Sequence, residues 1–197
     1  MIRVIGEIDA ELTRYYFLQA EHHTAATYTR DNIVTRPPTV LISSPGGDIG
    51  YTLAMLDEID ENKRTTKATG FCQSAAAVLA TAGEGHRICT ADCLFRFMPP
   101  KKEKFFVMDD GVPTEVEKVP DFGNFTHSLL VARLAARLNT SIGDISLMFD
   151  GEFISSIRAK ELGLIDEIIF TEKTNGNSSG LPGSESQADG TGNDCPF

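Results

Sequence analysis

Residues 39–59 carry two adjacent patterns that leave few folds open. Thr39-Val40-Leu41-Ile42-Ser43 is a continuous apolar run, as expected of a strand covered on both faces. After the turn Ser44-Pro45-Gly46-Gly47-Asp48, Ile49, Leu53, Leu56 and Ile59 follow at the spacing of one helix face. A strand buried on both sides needs helices above and below it. The flanking sequence agrees. Arg3-Val4-Ile5 reads as a strand, and Glu11 to about His22 carries Leu12, Tyr15, Tyr16 and Leu18 at roughly helical spacing. Thr66-Lys67-Ala68-Thr69 reads as another strand, and Ala75 to Ala82 as a helix stopped by Gly83. Strand and helix alternate three times in the first 83 residues, which predicts an α/β fold with a parallel or mixed sheet.

The rest of the chain is more varied. Thr24 to Pro38 is polar, ends in two prolines and reads as a loop. Arg87-Ile88-Cys89-Thr90 and Cys93 to Met98 read as short strands, stopped by Pro99-Pro100. Lys104 to Lys118 reads as a hairpin turning at Asp109-Asp110-Gly111. Pro120-Asp121 opens a long helix to about Leu138, with Phe122, Phe125, Leu129, Ala132 and Ala136 along one stripe. A short helix is expected over 141–149. Another follows from Ser156 to Leu162, capped by Ser155 and ended by Gly163, and then a last strand over 164–170. Residues 1–170 are thus expected to form one domain. Residues 171–197, rich in Gly, Ser, Asn and Asp, are expected to form a disordered tail.

Composition narrows the function classes. The net charge of −10 argues against nucleic acid or an anionic membrane as the main partner. No apolar run is long enough to span a bilayer, and the first residues lack the apolar core of a signal peptide. The four cysteines show no disulfide framework and point to a reducing, cytoplasmic compartment. Cys89 and Cys93 lack a second ligand pair, so no zinc site is expected, and no cofactor is implied.

The candidate chemistry centres on Gly70-Phe71-Cys72-Gln73-Ser74-Ala75. Ser74 stands where a strand meets a helix. Free N–H groups at the helix start suit a nucleophile whose adduct carries an oxyanion, but the same serine can simply cap the helix. Three segments together resemble the proteolytic subunit of the Clp protease family. They are Ser44-Pro45-Gly46-Gly47-Asp48, Gly70 to Gly83, and Ser155 to Asp166 with its Glu161-Leu162-Gly163-Leu164-Ile165-Asp166 end. Gly6-Glu7-Ile8-Asp9 resembles that family's first strand and turn, and the match spans roughly residues 2–170.

The resemblance implies a Clp protease/crotonase-like fold of repeated strand-helix units, with the helix from Pro120 as a protruding handle. It implies a serine peptidase acting in ATP-dependent proteolysis, assembled as rings or stacked rings, either of this chain alone or mixed with other Clp-type subunits. It places the nucleophile at Ser74 and the oxyanion hole at the N–H groups of Gly47 and Ala75, although Gly46-Gly47 can equally be only a tight turn. The family's catalytic histidine falls on Met98, and a thioether cannot accept a serine proton at neutral pH. His86 precedes the strand, His22 and His23 lie early, and His127 falls inside the long helix, where each reads as a surface or packing residue. The family's aspartate position falls on Gly151; a one-residue shift would bring Asp150 there, with Glu152 on its other side. The family's segment before the first strand has no counterpart here, so docking of an unfolding ATPase in the usual way is not expected. Two further readings stay open. One is a catalytically silent structural or regulatory Clp-type subunit; the other is an acyl-CoA-handling enzyme, because the related crotonase fold also pairs backbone N–H groups as an oxyanion hole.

Overall fold

The computed structural model describes residues 1–27, 38–109, 112–118 and 120–170. The tail from residue 171 and most of the loop before Pro38 lie outside the described residues, as does the tip of the expected hairpin. Strand β1 (Ile2–Ile5) leads to helix α1 (Ala10–Thr27), β2 (Val40–Ser44), α2 (Ile49–Glu61), β3 (Thr66–Gln73) and α3 (Ala75–Thr81). Then come β4 (Arg87–Thr90), β5 (Leu94–Arg96) and the hairpin strands β6 (Glu103–Asp109) and β7 (Val112–Lys118). Helices α4 (Asp121–Leu138) and α5 (Ile142–Met148), strand β8 (Phe153–Ser155), helix α6 (Ser156–Glu161) and strand β9 (Glu167–Ile169) complete the order.

The expected α/β alternation is present. The main sheet runs β1-β2-β3-β4-β9, all parallel, with β5 on β3 and β8 antiparallel on β5. Val40 and Ile42 are fully buried, as a strand between two helical layers requires. α3 is buried at every position from Ala75 to Thr81, so it is a core helix whose small residues let it lie close to the sheet. Asp48 caps α2 by accepting the Tyr51 N–H at 3.0 Å, and Ser155 caps α6 through the Arg158 N–H.

Several elements differ from the sequence expectation: β8 was not expected, and β9 begins at Glu167 rather than residue 164. α1 extends to Thr27, past the expected end near His22, and buries Thr13, Tyr16 and Ala20 while leaving Tyr15 and Leu18 exposed. A hydrogen bond to a charged group selects that face: the Tyr16 hydroxyl donates to the Glu58 carboxylate at 2.5 Å, and Glu58 pairs with the buried Arg64. Burial, then that hydrogen bond, pushes the Tyr16 hydroxyl far above its ordinary pKa, so it stays a donor. β3 runs on to Gln73 rather than ending at Thr69. Its register on β2 shifts between Ile42↔Ala68 and Ser44↔Cys72, so β3 advances four residues where β2 advances two. Gly70, at φ +61°, lies in this irregularity.

A further difference concerns α4. The stripe named from sequence faces outward where it is described, with Phe125 and Leu129 exposed, and a second apolar face was not anticipated. Thr126, Leu130, Val131, Leu134 and Ala135 pack inward instead. A helix with two apolar faces gives no phase in sequence, and packing against α3 and α5 selects the inner one.

Candidate functional site

The strand-helix junction at Ser74 is built by backbone contacts. Ser74 sits at φ 53°, ψ −125°, a region costly for any residue with a Cβ, and its side chain makes no capping bond to α3. The capping alternative is therefore not what the hydroxyl does. The Ser74 N–H donates to the Arg96 carbonyl at 2.7 Å, which ties the turn to β5.

The Gly46-Gly47 turn packs directly on this corner. A Cβ on Gly46 would lie 2.9 Å from Ser74 Cβ and 2.7 Å from the Gln73 carbonyl oxygen. A Cβ on Gly47 would lie 2.2 Å from the Ile8 carbonyl oxygen. Glycine is required at both places, and both take positive φ. The chain after β1 fixes the turn from behind, with Ile8 N–H donating to the Gly46 carbonyl and Asp48 N–H to the Ile8 carbonyl, each at 2.8 Å. Neither the Gly47 N–H nor the Ala75 N–H has a partner among the described residues.

Gly47, Ser74 and Ala75 open on one cavity of about 540 Å³, shared with Ile49, Met98 and His127. Its wall is mostly apolar and is completed by Pro99, Pro100, Leu130 and Phe149. Met98 thus lies in the same cavity as Ser74. Gly151 stands beside Met98: a Cβ at Gly151 would meet Met98 Sδ at 3.7 Å and Arg96 Nη2 at 3.8 Å. Gly151 N–H donates to the Phe97 carbonyl at 3.0 Å, and Arg96 Nε donates to the Gly151 carbonyl at 2.5 Å. The one-residue shift that would bring Asp150 to Met98 does not occur. Asp150 Oδ1 instead accepts the Glu152 N–H at 2.8 Å, an exposed local turn.

His86 lies elsewhere, on Glu167 at 3.1 Å, and His22 and His23 lie on α1. His127 is a packing residue, as sequence reasoning had it, but it packs where Ser74 also opens. It is half-buried on the cavity wall, edge-on to Phe149 with ring centroids 4.7 Å apart. Burial lowers its pKa from 6.5 and favours the neutral ring. The helical period could not reveal this, because a second apolar face on α4 leaves open which face meets the rest of the subunit. Among the described residues no helix is long and apolar enough to cross a membrane.

Two comparisons bear on this geometry. The chain resembles the crystal structure of the ClpP protease catalytic domain from Plasmodium falciparum, with a TM-score of 0.66 and 22% identity. The match covers 85% of this chain and 83% of that one, and it establishes the shared fold. The family model described as Clp protease matches residues 19–172, which include Ser74, the Gly46-Gly47 turn and the closing helix. On that match, and on the fold that carries it, the chain belongs to the Clp protease family.

Proposed function

We propose that this chain is a Clp-type peptidase subunit in which Ser74 attacks the carbonyl of a peptide held in the apolar cavity. One observation carries the reading: Ser74 is held at a costly backbone angle, makes no cap, and faces two unpartnered N–H groups. A serine kept only for folding would relax this angle or cap α3. In the proposed mechanism the Gly47 and Ala75 N–H groups receive the oxyanion, at about 3–4 kcal/mol per donor. Met98 and Gly151 leave the site without the usual histidine and its orienting carboxylate, so turnover is slow. Asp150, turned into its own loop, has no part in the reaction.

The subunit works as a homo-oligomer through its exposed apolar surface, which includes Phe125 and Leu129 of α4. Cys72, Cys89 and Cys93, buried as free thiols, suit a reducing compartment such as the cytoplasm.

The test is covalent labelling by a fluorophosphonate, read by intact mass and peptide mapping. Ser74 phosphonylation that Ser74→Ala abolishes is the expected result; labelling that ignores that substitution would refute the proposal. The Met98–Gly151 contact favours a second reading, a silent subunit that shapes a ring with active partners. That reading requires an unlabelled Ser74 together with co-assembly with an active Clp-type subunit.

A further inference from the structure

The cavity that holds Ser74 contains one side chain able to take its proton, and that side chain comes from a different element than the family pattern would suggest. Met98, the two prolines, Ile49, Leu130 and Phe149 offer no base, and the Gln73 amide is not basic at neutral pH. Lys101 is the remaining ionisable side chain on the wall besides His127. We propose that His127 of α4 is the general base for Ser74, replacing the imidazole missing at residue 98. The proposal rests on the reading of Ser74 as an acylated nucleophile.

Three features of His127 support the role. His127 and Leu130 are three residues apart on one helix face, and both line the cavity on which Ser74 opens. Neither ring nitrogen has a hydrogen-bond partner among the described residues, which leaves both free for a hydroxyl. The ring is braced by an aromatic stack, with His127 on Phe149 at 87° between planes and Phe149 on Phe97 at 5.3 Å. An edge-on aromatic contact holds orientation without adding charge. Burial then keeps the ring neutral and ready to accept.

The step balances without any further reagent. The Ser74 hydroxyl gives its proton to a ring nitrogen of His127 as Oγ bonds the carbonyl carbon. The oxyanion lies on Gly47 and Ala75 N–H. The imidazolium returns the proton to the leaving nitrogen as the C–N bond breaks. Water then attacks the acyl carbon, gives its proton to His127, and Ser74 leaves with that proton.

The test measures the second-order rate of Ser74 labelling by a fluorophosphonate, and the hydrolysis of a short peptide ester, against pH. The wild-type rate should rise with pH along a limb centred below 6.5, where His127 loses its proton. His127→Gln should slow both reactions by about 10²–10⁴-fold and remove the limb. Lys101→Met should leave the limb in place. The other residues on the wall (Gly47, Ile49, Gln73 and Ala75 among them) do not titrate there. Added imidazole should restore part of the rate in His127→Ala, where the lost ring leaves room for it. If His127→Gln keeps the wild-type rate and limb while Ser74→Ala abolishes labelling, the base assignment falls and the Ser74 reading stands. If wild type shows no Ser74-dependent reaction, both fall. Should the His127 variants misfold by circular dichroism, the wild-type profile decides: a rate flat through this range overturns the assignment.

Discussion

Ser74 shows how a single residue can carry a cost that its sequence context hides. Its φ of 53° and ψ of −125° cost about 1–3 kcal/mol for a residue with a Cβ. Glycine accepts such angles but loses about 0.5–1 kcal/mol in chain entropy on folding. Ser74→Gly should therefore abolish labelling yet be about 1 kcal/mol more stable than Ser74→Ala in urea unfolding, the strain relief exceeding that entropy loss. Equal stability of the two variants would show that the angle is not strained. The same scale governs residues 98 and 151. An aspartate at Gly151 would sit beside Arg96, whose guanidinium can hold it charged, and beside an imidazole at residue 98. We expect Met98→His alone to raise ester hydrolysis little. Met98→His with Gly151→Asp should raise it at least about tenfold further, since a carboxylate would orient the new imidazole as none orients His127, while the φ of +86° strains the new aspartate and limits the gain below the roughly 10²–10⁴-fold of a full general base. Adding Ser74→Ala should remove the gain. Ser74, Gly47, Ala75 and Met98 line one cavity, and that they belong to one neighbourhood was legible in sequence through the resemblance of their segments. The strain at Ser74 and the Arg96 contact were not, because both are set by the Ser74 N–H bond to β5 and by the pairing of β5 with β8.

At the scale of elements, a helix that buries one clear face was readable, whereas α4, apolar on two faces, was read only through its outer stripe. α2 shows a single stripe, and Leu56 and Ile59 of that stripe are buried. α4 offers two stripes, and only the subunit core decides between them. That choice makes two classes of substitution distinguishable. Leu134→Ala, in the inner face, should cost about 2–5 kcal/mol in urea unfolding, the usual loss for a fully buried leucine. Phe125→Ser with Leu129→Ser, on the outer face, should leave the subunit folded but reduce its mass in light scattering, because the apolar surface it removes is what a second copy would cover. An unchanged mass would move the interface elsewhere on the subunit. β8 was missed for a related reason. Its Phe153, Ile154 and Ser155 carry no strand pattern of their own and become a strand through antiparallel pairing with Leu94–Arg96.

For the whole molecule, the α/β class followed from the alternation of strands and helices, but the order of strands did not, since local patterns say nothing about which edges meet. The order matters most at β3, which belongs to two neighbourhoods. Thr66–Ala68 lie against β4, deep in the parallel sheet, while Phe71–Gln73 lie against β5, which among the described residues pairs otherwise only with β8. Gly70 stands at the change. Cys72 still pairs with Ser44 of β2, so Phe71–Gln73 stay with the main sheet, and β5 with β8 forms a two-stranded flap that can let solvent reach its amides while β1, β2, β3, β4 and β9 stay closed. In native-state hydrogen exchange, Leu94–Arg96 and Phe153–Ser155 should exchange together, at a lower opening free energy than Thr66–Ala68 and Ile88–Thr90. One opening energy shared by the flap and the main sheet would show no such division. Because the Ser74 N–H is anchored on Arg96 in that flap, each opening event would also release the nucleophile's turn, so the fraction of subunits competent for labelling would follow the breathing of this flap rather than global unfolding.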